Sequence, residues 1–87
     1  MDKKQVKLFF KIGDKDLIER GLNKVELTEE EENISIKLGK GWSEEMIAQE
    51  MNLSKRTVQR RKKKIYEKVF TTLNGWEELE EKLKGGD

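Results

Sequence analysis

Residues 42–65 read WSEEMIAQEMNLSKRTVQRRKKKI. The stretch divides at Asn52. Before it, Ile47, Ala48 and Met51 recur at helical spacing behind Ser43, a good N-cap residue. After it, Ser54 caps a second helix, whose inner face runs through Val58, Ile65, Val69 and Leu73. Two helices crossing steeply need a small residue where their backbones meet, and Ala48 meets that need. The turn needs a residue that tolerates the left-handed conformation, and Asn is the best choice after Gly. Leu53 then plugs the turn into the core. This order predicts a helix-turn-helix, the motif that lays its second helix into the major groove of DNA.

The charges around that motif are segregated. Residues 26–50 hold eight Glu against two Lys, and residues 54–68 hold eight Lys or Arg against Glu67 alone. The net charge of +1 therefore hides a local basic field. Lys55, Arg56, Gln59 and Arg60 fall near the start of the second helix, on its outer side. In this geometry such positions reach base edges. Arg bonds guanine and Gln bonds adenine bidentately. Ser43, Ser54, Thr57, Lys62, Lys63 and Lys64 are assigned to phosphates, which position the protein without reading sequence. Arg61 lies close to the inner face and is expected to cover the core with its aliphatic stem.

Outward from the motif, Thr28 and Glu31 form a capping box, with Glu29–Glu32 filling the first turn of a helix. Ile34 and Leu38 give that helix its core face, Ile36 sits off it, and Gly39 and Gly41 stop it. Residues 5–12 are open between a short strand, from the alternation of Val6, Leu8, Phe10 and Ile12, and a helical turn packing Phe9, Phe10 and Ile12. Asp14 or Asp16 caps a short helix carrying Leu17, Ile18 and Leu22. Asn74-Gly75 breaks the chain, and a last amphipathic helix carries Trp76, Leu79 and Leu83 before a Gly-Gly-Asp tail. These three residues are assigned to a dimer seam. Packing of Trp76 onto Phe70 and Tyr66 is the alternative. The fold expected is all-α, a bundle of four to five helices with the N-terminal strand left open. Residues 1–24 form an extension, 25–74 the helix-turn-helix domain and 75–87 the C-terminal helix and tail. The extension braces the fold, extends a dimer or reaches DNA through Lys3, Lys4 and Lys7.

Composition bounds the function. Leu, Ile, Val and Phe make up about a quarter of the chain, above the roughly 20% level below which disorder is expected. There is no Cys and no His, which excludes disulfides, Cys/His zinc sites and histidine acid–base chemistry. No apolar run reaches the roughly 20 residues of a membrane span, and the N-terminus carries no cleavage-site pattern. The expectation is a cytoplasmic protein that is not an enzyme and takes no cofactor or metal. Glu29–Glu32 are read as capping and solubility, not as a cation site.

Residues 27–69, LTEEEENISIKLGKGWSEEMIAQEMNLSKRTVQRRKKKIYEKV, resemble the LuxR-type helix-turn-helix domain of bacterial transcription regulators. The matching marks are Leu27-Thr28 with Glu31, Gly41 and Ser43, Ile47-Ala48, Leu53-Ser54, Thr57-Val58, Ile65 and Lys68. The resemblance implies four helices, the third reading DNA and the fourth often forming a dimer. Region 4 of sigma factors shares nearly the same pattern, as do ends of some recombinases and phage terminase small subunits. The family usually has His where this chain has Arg61, and an acidic residue at Met46. It is often apolar at Ser35 and Lys37, which predicts a first helix packed differently. The function expected is a DNA-binding transcriptional regulator of bacterial or phage origin, a homodimer on double-stranded DNA without an attached sensing domain. The alternative is an adaptor or assembly module on the same fold, with RNA polymerase or further copies as partner.

Overall fold

Side-chain caps set the helix boundaries of this chain as firmly as its apolar spacing does. In a computed structural model, which describes residues 2–84, the chain forms six helices: α1 (Lys3–Lys11), α2 (Lys15–Asn23), α3 (Glu29–Gly39), α4 (Glu44–Met51), α5 (Lys55–Leu73) and α6 (Glu77–Lys84). Asp2, Asp14, Thr28, Ser43 and Ser54 each accept a hydrogen bond from the backbone N–H three residues on. Each satisfies a donor that the first helical turn leaves without a partner. Thr28 and Glu31 close the expected capping box. The Gly-Gly-Asp tail lies outside the described residues.

The all-α fold stands. There are six helices among the described residues where four or five are expected, and the N-terminal stretch, open between strand and helical turn, is a helix. Val6, Phe9 and Phe10 stand at i, i+3 and i+4 and are buried together. Leu8, which alternation would turn inward with Val6 and Phe10, is 50% exposed. Asp2 and Gln5 form a second capping box that starts the helix. Phe9 meets Phe10 edge-on at 5.2 Å, and Phe10 stacks on Tyr66 at 5.4 Å. Residues 3–23 therefore brace the bundle, since α1 packs against α3, α5 and α6, and α2 against α3.

One core cluster runs from Val6 to Leu79. Val58, Ile65, Val69 and Leu73 of α5 form its centre, joined by Ile34 and Leu38 of α3 and Ile47 and Ala48 of α4. The Cα radius of gyration is 12.5 Å, close to the roughly 12 Å of a compact chain of this length. Among the described residues no helix is long and apolar enough to cross a membrane.

α6 closes the bundle. Leu79 is fully buried, and Trp76 and Leu83 pack against the same core. Arg20 of α2 donates to both Glu78 carboxylate oxygens, at 2.6 and 2.8 Å, and to Asp16 at 3.0 Å. Gly21 lets α1, α2 and the start of α6 meet. A Cβ there would stand 2.7 Å from Phe9 Cζ and 3.1 Å from Trp76 Cζ3. Lys24 Nζ lies 5.2 Å from the centre of the Trp76 ring. Gly21→Ala gains roughly 1 kcal/mol of helix propensity but forces a buried phenyl ring to move. The net expectation is a loss of about 1–3 kcal/mol, read as a lower thermal midpoint by circular dichroism. An unchanged or higher midpoint would refute the close packing.

Ser35 of α3 is fully buried, and among the described residues its Oγ has no hydrogen-bond partner. A buried hydroxyl without a partner carries its full desolvation cost. Ser35→Ala removes that cost and raises helix propensity, so the variant should be as stable as the parent or more stable by about 1 kcal/mol. Urea melts would measure it, and a clear loss would mean that the hydroxyl is satisfied in solution.

Candidate nucleic-acid interface

The α4–α5 turn has the local geometry that its sequence predicts. Asn52 lies in the left-handed region at φ 55°, ψ 44°. Leu53 N–H donates to Ala48 O at 2.8 Å, drawing the chain back across the end of α4. Leu53 is partly buried against the core. Ser54 Oγ accepts from Thr57 N–H at 3.1 Å and donates to Thr57 Oγ1 at 2.9 Å. The Lys55 and Arg56 amides, at the first two positions of α5, have no intrahelical acceptor by geometry.

α5 is braced from two sides by carboxylates. Glu30 of α3 pairs with Arg61, and Glu31 of α3 accepts from Lys68 Nζ at 2.6 Å. On the other side Glu45 of α4 stands 3.2 Å from Lys55 Nζ. Glu44 accepts from Gln59 Nε2 at 3.3 Å and lies 3.5 Å from Lys62 Nζ. Lys62 Nζ also lies 5.5 Å from the centre of the Tyr66 ring. Burial, with the Glu44 charge added, pushes the Tyr66 hydroxyl above the usual phenol range. The acidic first turn of α3 thus caps its own helix and clamps α5.

The remaining cations of this run are Arg56, Arg60, Lys63 and Lys64. All four are exposed, and among the described residues none has a carboxylate within ion-pair distance. Arg56, Arg60 and Lys63 are spaced by four and three, so they form one stripe along the helix. The stripe lies opposite Val58 and Ile65, and Lys64 stands one turn after Arg60 on its flank. Glu67 ends it.

The predicted contact residues therefore divide. Arg56, Arg60, Lys63 and Lys64 share the open face. Lys55, Gln59 and Lys62 lie on the flank towards α4 and are already partnered. Ser54 and Thr57 bond each other at the helix start. Ser43 caps α4 beside Glu44 and Glu45, two carboxylates that disfavour a phosphate there. Trp76, Leu79 and Leu83 sit across the bundle in its core and rim. Lys3 lines the same groove as Lys62 and Lys63, which brings the N-terminal end of α1 beside α5. The α4 carboxylates are the feature that sequence reading misses. The only available signal was two acids in the first turn of a helix that must cross a basic one. Comparisons with family models, curated proteins and solved structures find no match.

Glu31 is 3% exposed, and among the described residues its carboxyl is the one buried acid that positions this face. Burial alone would raise its pKa. The Lys68 ammonium and the Thr28 N–H outweigh burial and hold it below the ordinary carboxylate range. A lowered folded value means that the unfolded chain binds the proton more tightly. Its stabilisation is therefore present at neutral pH and lost as pH falls through the lowered value. Glu31→Gln should cost about 1–2 kcal/mol at pH 7. The gap to the parent should narrow as pH falls below the ordinary carboxylate range and be closed at an acidic pH beneath the lowered value. Chemical melts at both pH values would measure this, and a gap that persists in acid would refute the charged clamp.

Proposed function

We propose that the protein binds double-stranded DNA through the open face of α5 and acts as a LuxR-type regulator of transcription. The observation that carries this reading is the stripe of Arg56, Arg60 and Lys63, flanked by Lys64, with no carboxylate within ion-pair distance among the described residues. Four like charges on a short length of helix repel one another, and a polyanion relieves that repulsion. The helix that carries them follows a left-handed turn at Asn52, as the second helix of a helix-turn-helix does. Arg56 and Arg60 are the base-reading candidates, with guanine N7 and O6 as the matching edge. Lys63 and Lys64 serve phosphates, as do the free amides that open α5.

An assembly role through α6 draws no support from an apolar face there, because Leu79 is enclosed by its own chain. The DNA reading needs no second copy.

Fluorescence anisotropy with a labelled random duplex at two salt concentrations tests the reading. Micromolar binding that weakens steeply with salt is expected. Lys63→Ala should flatten the slope of log K against log salt by about 0.9. Against a selected site, Arg56→Ala or Arg60→Ala should cost about 1–3 kcal/mol. No binding at low salt would end the proposal.

A further inference from the structure

Glu44 and Glu45 open α4 directly after its Ser43 cap, and both aim at α5. Glu45 reaches Lys55 at the rim, where both side chains are well exposed. Glu44 is different. Its Oε1 accepts from Gln59 Nε2 at 3.3 Å while its Oε2 stands 3.5 Å from Lys62 Nζ, so one carboxylate engages two side chains one turn apart on α5. Glu44 and Lys62 side chains are each only 27% exposed. A pair so covered is screened less by salt than a rim pair. Lys62 is held a second time by the Tyr66 ring.

We propose that Glu44 is a built-in brake on non-specific DNA binding, an inference that rests on α5 being the DNA-binding helix. A phosphate arriving at the α4–α5 crossing meets an ammonium already satisfied by a carboxylate. It must displace Glu44, against the repulsion of that same carboxylate, before Lys62 releases a counterion. On random duplex the phosphate contacts are therefore limited to the open stripe. Lys62 and Gln59 join only where the surface seats closely enough to compensate for breaking the Glu44 contacts. The device lowers affinity for arbitrary DNA and leaves the open face untouched, which widens the ratio of specific to non-specific binding.

The test titrates parent, Glu44→Gln and Glu44→Asp against the same random duplex at several salt concentrations. Folding of each is checked by its thermal midpoint. Glu44→Gln removes the charge. Glu44→Asp keeps the charge but withdraws it by one methylene, so it separates reach from net charge. Both should bind about three- to tenfold tighter at low salt, with a salt slope steeper by about 0.9 for the one phosphate that Lys62 gains. In a Lys62→Ala background Glu44→Asp, which conserves charge, should leave affinity unchanged, and neither change should alter the salt slope. If the parent binds and both variants match it, the brake is overturned and the DNA reading stands. A Glu44→Asp gain or a steeper slope that persists without Lys62 also overturns it, since neither could then come from the release of Lys62. If neither parent nor variants bind, both the reading and the brake fall together.

Discussion

Val58, Ile65, Val69 and Leu73 are wholly excluded from water, and the bundle is arranged around this one edge of α5. A 19-residue helix is about 28 Å long. Its periodicity sorts its residues into an apolar seam and an opposite stripe with no further instruction. Arg56, Arg60 and Lys63 are turned outward because Val58 and Ile65 must turn inward. The other helices supply the walls of that seam, and their polar residues supply the lateral clamps. A change to the seam would therefore rotate the cationic face as well as loosen the core.

The electrostatics follow the same division. The chain is nearly neutral as a whole, yet its acids are not spread evenly around its bases. Glu30 and Glu31 hold one side of α5, and Glu44 and Glu45 hold the other. The exposed pairs among these, Glu30–Arg61 and Glu45–Lys55, contribute little to stability on their own. Their larger effect is to decide which cations are left over. Glu31 is the exception, because it is buried, satisfied by two donors and part of the cap of its own helix.

Local signals were legible in the sequence and distant pairings were not. The caps at Thr28, Ser43 and Ser54, the left-handed Asn52 and the inner face of α5 all depend on residues within a turn or two of each other. The N-terminal stretch was ambiguous because Val6, Leu8, Phe10 and Ile12 alternate while Val6, Phe9 and Phe10 fit a helix. Only contact with α3, α5 and α6 decides between these patterns, and Leu8 turned to solvent is the outcome. The place of Leu79 was equally hidden, since an amphipathic helix reads alike whether its apolar side meets its own chain or another. The partners of Lys55, Gln59 and Lys62 depend on how α4 crosses α5. No pattern along the chain records that crossing. The turn and the helix after it were thus legible along the chain. Which of its cations stand free came only from the packing.

Phe9 of α1, Gly21 of α2 and Trp76 beside α6 meet at one point, though they lie far apart along the chain. This meeting has a consequence for the order in which the molecule is made. Phe9 leaves the ribosome long before Trp76 and Leu79, which complete the wall around it. The segment carrying the basic helix is also synthesised before that wall exists. An emerging chain therefore carries exposed aromatic rings on α1 until α6 is released. A ribosome that stalls before residue 76 holds a bundle still open beside Phe9 and Gly21.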